Sequence, residues 1–101
     1  MAEKSWTDLL KDHAPDLDAQ NKADLEFLGR GTALSSREKM LMALVLDSAA
    51  NHPTGARIYG QKAVQAGASK DQVLDALRVL RMFWGRPALV TGTEALRQFD
   101  V

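Results

Sequence analysis

The 101-residue sequence contains no cysteine. Disulfides, thiolate metal sites and any thiol redox cycle carried by this chain alone are therefore excluded. Long apolar runs are missing too, since no stretch approaches the roughly 20 residues that a membrane-spanning helix needs. The N-terminus also lacks the basic and apolar regions of a secretory signal. We therefore expect a cytoplasmic protein that does not associate with a membrane.

An excess of charge of one sign is also absent, because 13 basic residues balance 13 acidic ones. No overall field then attracts nucleic acid, and we expect none as a partner. The glycines are scattered and form no phosphate-binding loop, so no nucleotide cofactor is indicated. The two histidines lie far apart without an obvious third ligand, and only Asp47 with His52 offers a weak pairing, so we predict no metal site.

Apolar residues recur with helical spacing almost throughout, and no segment alternates convincingly with period two. The sequence thus predicts an all-α fold of about six helices in one domain that spans residues 1–101. Ser5 is placed to cap a first short helix, and Pro15 to open a second helix that runs to about Leu28. Gly29 and Gly31 should end this second helix.

The third helix should be the central one. Ser35 followed by Glu38 is a capping-box pattern, and residues 40–46 are apolar on every face, which predicts a fully buried helix. Pro53 breaks it and suits the first turn of a fourth helix over residues 53–66, with Gly67 as its stop.

A fifth helix should begin after Ser69 and carry core residues from Val73 to Trp84. Residues 85–87 interrupt the helical pattern, and a single closing helix should then end near Phe99. A set of large apolar residues at helical spacing is interpreted as core or subunit interface: Met40, Met42, Met82, Phe83 and Trp84.

Three segments together resemble the carboxymuconolactone decarboxylase and alkylhydroperoxidase D family. They are residues 34–39 at the start of the long apolar helix, residues 62–69 with the sequence KAVQAGAS, and residues 84–88 with WGRPA. The resemblance covers roughly residues 14–99. It implies an alkylhydroperoxidase D-like helical fold whose core is partly shared between subunits, in a homo-oligomer that is a trimer or a hexamer.

The resemblance also shows which reactive residues are replaced. Placing the family's Ala-Gly-Ala segment on residues 66–68 puts its two cysteines at His52 and Gly55 and its histidine at Tyr59. The family's glutamate falls on Met40. The chain therefore should not act as a thiol peroxidase on its own. The decarboxylase branch needs no cysteine, but its histidine also falls on Tyr59, and a tyrosine with its ordinary pKa of about 10 is a poor base.

Several polar residues remain near this position. Asp47 and Asn51 are four residues apart, and Tyr59 and Lys62 are three apart, so each pair shares a helical face. Asp47 is interpreted first as a paired structural carboxylate, His52 as a capping or surface residue, and Tyr59 as either core or pocket-lining. The catalytic candidates are Tyr59, His52 and Asp47, and the pocket-lining candidates are Met40, Asn51, Gly55 and Lys62.

Three hypotheses follow. The chain is a divergent family member that acts on a small carbonyl or lactone-like molecule, with Tyr59, His52 or Asp47 as proton donors and acceptors. Alternatively, it is a non-catalytic protein that binds a small apolar ligand, or an oligomeric scaffold. A solvent-connected cavity shared by Tyr59 and Asp47 would favour the first two hypotheses.

Overall fold

The computed structural model describes residues 2–101, and this part of the chain is helical without any strand. Six α-helices and a closing 3-10 helix follow one another: α1 Trp6–His13, α2 Pro15–Gly29, α3 Ser36–Ala49, α4 Pro53–Gln65, α5 Lys70–Trp84, α6 Arg86–Gly92 and the 3-10 helix Thr93–Phe99. The predicted all-α class and the predicted number of helices are confirmed. Within residues 2–101, no helix has the length and apolar character needed to cross a membrane.

Serine caps set the starts of three helices. The Ser5 hydroxyl accepts a hydrogen bond from the Asp8 backbone N–H at 3.2 Å. At α3 the capping box is complete, because the Ser35 hydroxyl accepts from the Glu38 N–H and the Glu38 carboxylate accepts from the Ser35 N–H, both at 3.0 Å. Ser69 forms the same reciprocal pair with Gln72 at α5. These caps satisfy N–H groups that a helix leaves without intrahelical partners.

Three helices are followed by a residue with positive φ. These residues are Asn51 after α3 with φ 59°, Gly67 after α4 with φ 105° and Gly85 after α5 with φ 84°. At Asn51 the next N–H, that of His52, donates to the Asp47 carbonyl at 2.9 Å, and Asn51 itself donates to the Ser48 carbonyl at 3.0 Å. This is the Schellman arrangement, which favours Gly or Asn at the left-handed position. The chain reverses there, so α4 begins close to the end of α3.

The closing segment differs from the single predicted helix. The α-helix ends at Gly92, and Thr93–Phe99 continues as a 3-10 helix. Gly60 of α4 faces Ala95 in this segment, and a methyl group on Gly60 would lie 2.9 Å from the Ala95 Cα. The tighter 3-10 turn therefore lies against α4 at a distance that only glycine permits.

The core lies between α3, α4, α5 and the closing segment. Its fully buried side chains are small or medium in size, which suits close helix packing. The buried apolar residues are Met40, Leu44, Ala56, Ala63, Ala68, Val73, Leu77, Leu80, Ala88 and Ala95.

The prediction that α3 is fully buried is wrong for this chain. Leu44 is completely buried, but Met42 is 51% exposed and Leu46 is 64% exposed. One stripe of α3 packs on α4 and α5, while the opposite stripe faces outward. Phe83 and Trp84 at the end of α5 are likewise mostly exposed. Of the large apolar set predicted to be core or interface, only Met40 lies in the core.

The N-terminal hairpin of α1 and α2 packs on this body from one side and contains no buried residue. The radius of gyration is 14.6 Å, somewhat above the ~13 Å typical of a compact domain of about 100 residues. The hairpin therefore projects from the rest of the domain, and its C-terminal end forms one wall of a pocket between α2, α3 and α4.

Candidate functional site

An open pocket of about 340 Å³ lies between the end of α2, the loop that follows it, α3 and α4. Its walls are predominantly apolar, with three polar side chains among them. The lining residues are Phe27, Leu28, Leu34, Lys39, Met42, Ala43, Leu46, Asp47 and Tyr59. Asp47 and Tyr59 therefore share one solvent-connected cavity, as the ligand-binding hypotheses require.

Tyr59 is the single tyrosine of the chain and lies half-buried on α4. Burial raises the pKa of its phenol, and the negative charge of Asp47 raises that pKa further. Both causes disfavour the phenolate, so the hydroxyl stays protonated at neutral pH and can donate a hydrogen bond. The Lys62 ammonium lies 5.7 Å from the centre of the Tyr59 ring. Lys62 thus lies over the ring face and is not among the residues that line the pocket.

Asp47 lies opposite His52, with 3.5 Å between the Asp47 Oδ2 and the His52 Nδ1. The left-handed turn at Asn51 produces this approach, because it turns the chain back over the last residues of α3. Gly55 leaves the space that both side chains occupy, and a methyl group there would overlap the carboxylate and lie 2.5 Å from the His52 Nδ1. The partly exposed Asp47 carboxylate is thus held in place beside His52, which is itself not buried.

His52 fits its simpler interpretation. It is the residue before α4 and makes no side-chain capping bond. Its side chain is 61% exposed. The imidazole lies beside Asp47 and does not line the pocket. It can therefore influence a ligand in the pocket through the Asp47 carboxylate.

Asn51 points away from the pocket. Its Oδ1 accepts a hydrogen bond from the Thr91 hydroxyl at 2.8 Å, which links the end of α3 to α6. The expected common face with Asp47 does not form, because the helix has ended and Asn51 is left-handed. Met40 and Gly55 are both buried, and neither lines the cavity. Of the seven candidate residues, Asp47 and Tyr59 line this pocket.

Lys39 is a pocket residue that the sequence did not single out. Its ammonium donates to the backbone carbonyls of Phe27 at 2.9 Å and Arg30 at 3.1 Å, and it lies 3.5 Å from the centre of the Phe27 ring. Removal from water lowers its pKa, and the nearby Arg30 charge lowers it further. A cation early in a helix opposes the helix dipole. This unfavourable position of Lys39 in the sequence was the available signal that its side chain bonds to a segment outside α3.

The α2 wall could not be deduced from local patterns. The packing of the hairpin on α3 brings to the pocket Phe27, Leu28 and Leu34. No sequence motif connects the segments that this packing joins. Their partial exposure reflects the open mouth of the cavity. The site thus combines a predicted polar pair with an unpredicted apolar wall.

The pocket offers the Tyr59 hydroxyl as a hydrogen-bond donor and the Asp47 carboxylate as an anionic acceptor on an apolar surface. The Lys39 ammonium already donates to two carbonyl oxygens. Among residues 2–101, no three histidine or acidic side chains group closely enough to hold a metal ion. No protein-family model, curated protein or solved structure matches the chain significantly.

Proposed function

We propose that this chain is a divergent carboxymuconolactone decarboxylase-like protein that binds a small carbonyl or lactone-like molecule in the pocket between α2, α3 and α4. One observation carries the proposal: Asp47 and Tyr59 line the same open and otherwise apolar cavity. Apolar pockets with a few convergent polar groups are the usual form of small-molecule sites. The family membership rests on the three sequence segments that resemble the family.

The polar pair fits the chemistry of a carbonyl compound. The carbonyl oxygen accepts a hydrogen bond from the protonated Tyr59 hydroxyl, and the hydrocarbon part contacts Phe27, Leu28 and Leu46. The Asp47 carboxylate then faces the carbon next to the carbonyl. Transfer of a proton from that carbon to Asp47 leaves an enolate, whose oxygen the Tyr59 hydroxyl stabilises. Return of the proton completes an exchange that needs no cofactor and no thiol.

The proposal includes a homo-oligomeric assembly in the cytoplasm, as a trimer or hexamer. Small size supports it, because a chain of this length has a modest core of its own. The exposed apolar stripe of α3 supports it as well.

Ligand binding can be tested by nuclear magnetic resonance titration of the labelled chain with δ-valerolactone and cyclohexanone, with methylcyclohexane as the hydrocarbon comparison. We expect the carbonyl compounds to shift amide signals of α3 and α4 around the pocket. Tyr59→Phe should weaken their binding by about 2- to 13-fold, the equivalent of one hydrogen bond worth ~0.5–1.5 kcal/mol. Thr93→Val removes a hydroxyl outside the pocket and should leave the affinity unchanged.

Chemistry can be tested separately by incubating cyclohexanone in deuterated water with the protein. If Asp47 removes a proton next to the carbonyl, deuterium enters that position faster with the protein than without it, and Asp47→Asn abolishes the gain. Binding without exchange would leave a ligand-binding protein. Absence of pocket shifts with every carbonyl compound would contradict the binding proposal.

The second candidate is a non-catalytic oligomeric scaffold of the same fold. The observation that favours it is the large exposed apolar surface of α3 and α5, which resembles an interface more than a ligand site. A stable oligomer that binds none of the carbonyl probes and exchanges no deuterium would favour this candidate.

A further inference from the structure

The two charged side chains that line the pocket between α2, α3 and α4 are not equally available to a ligand. Lys39 is 3% exposed, whereas 30% of the Asp47 side chain is exposed. The Lys39 ammonium donates to the carbonyls of Phe27 and Arg30 and lies against the Phe27 ring, and these contacts account for its three N–H groups. Both carbonyls lie at the C-terminal end of α2, where the helix dipole favours a cation. The accessible charge in the pocket is therefore that of Asp47.

Asp47 has no close ionic partner of its own. Among residues 2–101 its one such partner is His52, with 3.5 Å between the Asp47 Oδ2 and the His52 Nδ1. This separation is longer than that of an ordinary N–H···O hydrogen bond, which is about 2.7–3.2 Å. His52 also carries a positive charge only when it is protonated. The carboxylate thus keeps acceptor sites for a ligand that donates hydrogen bonds.

The negative charge of Asp47 reaches the other polar group of the pocket, the Tyr59 hydroxyl. Burial raises the pKa of the Tyr59 phenol, and the Asp47 charge raises that pKa further. The Lys62 ammonium lies over the same ring, 5.7 Å from its centre, yet the charge that acts on the phenol is that of Asp47. A negative potential at the polar end of the pocket favours a cation and disfavours an anion.

The other walls suit a compact hydrocarbon. Leucine and methionine side chains form most of this surface: Leu28, Leu34, Met42 and Leu46. The volume of about 340 Å³ is at the small end of the range of roughly 300–1,000 Å³ for small-molecule sites. Because the pocket is open, a charged group beside Asp47 stays in contact with water while the hydrocarbon is buried, which limits the cost of desolvation.

We propose that this pocket is a binding site for small apolar amines, which enter as ammonium ions and donate hydrogen bonds to the Asp47 carboxylate. The hydrocarbon part of the amine lies against the leucine and methionine walls. This ligand class lies outside the proposed carbonyl chemistry and requires only the pocket and Asp47. An amine bound in this way occupies the carboxylate, so it competes with a carbonyl ligand for the site.

One cyclohexane ring with different head groups tests the assignment, in nuclear magnetic resonance titrations of the labelled chain. Cyclohexylammonium should bind about tenfold more tightly than cyclohexanol, the low end for a hydrogen bond to a charged group, because Asp47 is partly exposed. Cyclohexanecarboxylate should bind no more tightly than cyclohexanol. Added sodium chloride should weaken binding of the ammonium and leave that of the alcohol unchanged. Equal affinities for the three compounds, or tighter binding of the carboxylate, would overturn the proposal.

A matched pair of charge-removing variants locates the site. Asp47→Asn keeps the size of the side chain and should reduce the affinity for cyclohexylammonium to that for cyclohexanol, with an unchanged circular dichroism spectrum. Asp71→Asn removes a carboxylate in the first turn of α5, outside the pocket, and should keep the preference for the ammonium. A preference that survives in Asp47→Asn, or is lost equally in both variants, would contradict binding at Asp47.

Cyclohexanone separates this proposal from the proposed function. If cyclohexanone binds and the ammonium shows no advantage over cyclohexanol, the amine site alone is overturned. If the ammonium binds through Asp47 and no carbonyl compound shifts the pocket signals, the amine site stands and the carbonyl proposal fails. If both bind, the ammonium should displace cyclohexanone, and simultaneous binding would overturn the shared position at Asp47. Absence of pocket shifts with every compound would overturn both proposals.

Discussion

Gly60 is where α4 lies closest to the closing 3-10 helix, and Gly60→Ala tests the packing that positions the adjacent Tyr59. The new methyl group would overlap the Ala95 side chain and lie 2.9 Å from the Ala95 Cα. Carbon atoms normally pack at about 3.5–4.0 Å, so the two segments would have to separate by roughly 1 Å. Ala95 is only 1% exposed and its backbone cannot rotate aside. The strain therefore falls on the backbone of both segments.

Overpacking of this kind costs about 1–3 kcal/mol, and the better helix propensity of alanine offsets up to about 1 kcal/mol. We expect a net loss of about 1–2 kcal/mol, which lowers the Tm of a domain of this size by roughly 5–15 °C. Thermal unfolding followed by circular dichroism measures this. Gly29→Ala is the control, because open space surrounds that position, and we expect a gain of about 0.4–1 kcal/mol there. A Gly60→Ala protein as stable as the wild type would refute the reasoning.

Three further predictions concern ionisation and the turn. The phenolate absorbance of the single tyrosine should titrate above pH 10.0, and Asp47→Asn should lower that pKa without fully restoring it, because burial remains; identical titrations would contradict the role of Asp47. In chemical denaturation, the free energy of unfolding of Asn51→Ala should be about 1–2 kcal/mol lower than that of Asn51→Gly. Both variants lose the hydrogen bond with Thr91, but only alanine resists the left-handed conformation. Equal denaturation midpoints for the two variants would contradict this prediction. Hydrogen bonds within the α3 capping box hold the pKa of Glu38 below 4.5. The ionised Glu38 carboxylate therefore stabilises the fold above pH 4.5, and this stabilisation is lost as the pH falls through the pKa of the folded state. Glu38→Gln should therefore be less stable than the wild type at pH 7, and the difference should vanish in acid.

Helix boundaries were predictable because they depend on neighbouring residues. Ser5, Ser35 and Ser69 cap where their side chains can reach an N–H three positions on, and Gly67 stops a helix because it tolerates positive φ. The left-handed helix end at Asn51 is not predicted in the same way, although asparagine also adopts the left-handed conformation. The spacing of four residues predicts a common helical face with Asp47, and this prediction is wrong because α3 has ended and Asn51 is left-handed.

Burial was less predictable, since it depends on which segments meet. Residues 40–46 are apolar on all sides, yet Leu44 is buried and Leu46 is exposed. Asp47 and Tyr59 could be anticipated as a pair because one short turn joins α3 to α4. Phe27 could not, because its contact with Lys39 links two helices across an irregular loop and leaves no periodic trace.

The attachment of α2 has a consequence for how the pocket opens. α2 supplies Phe27 and Leu28 to the wall, yet none of its residues is buried, so we expect this wall to open locally at a lower free energy than α3 and α4. Lys39 and Ser36 donate hydrogen bonds only to the last turn of α2 and to Arg30, so the end of α2 forms a pivot about which the hairpin can swing. Amide hydrogens of α1 and α2 should then exchange with solvent faster than those of α3 and α4. A ligand can enter by displacing this hairpin while the core stays folded, and the hydrogen bonds from Lys39 and Ser36 to the end of α2 set how tightly the hairpin returns.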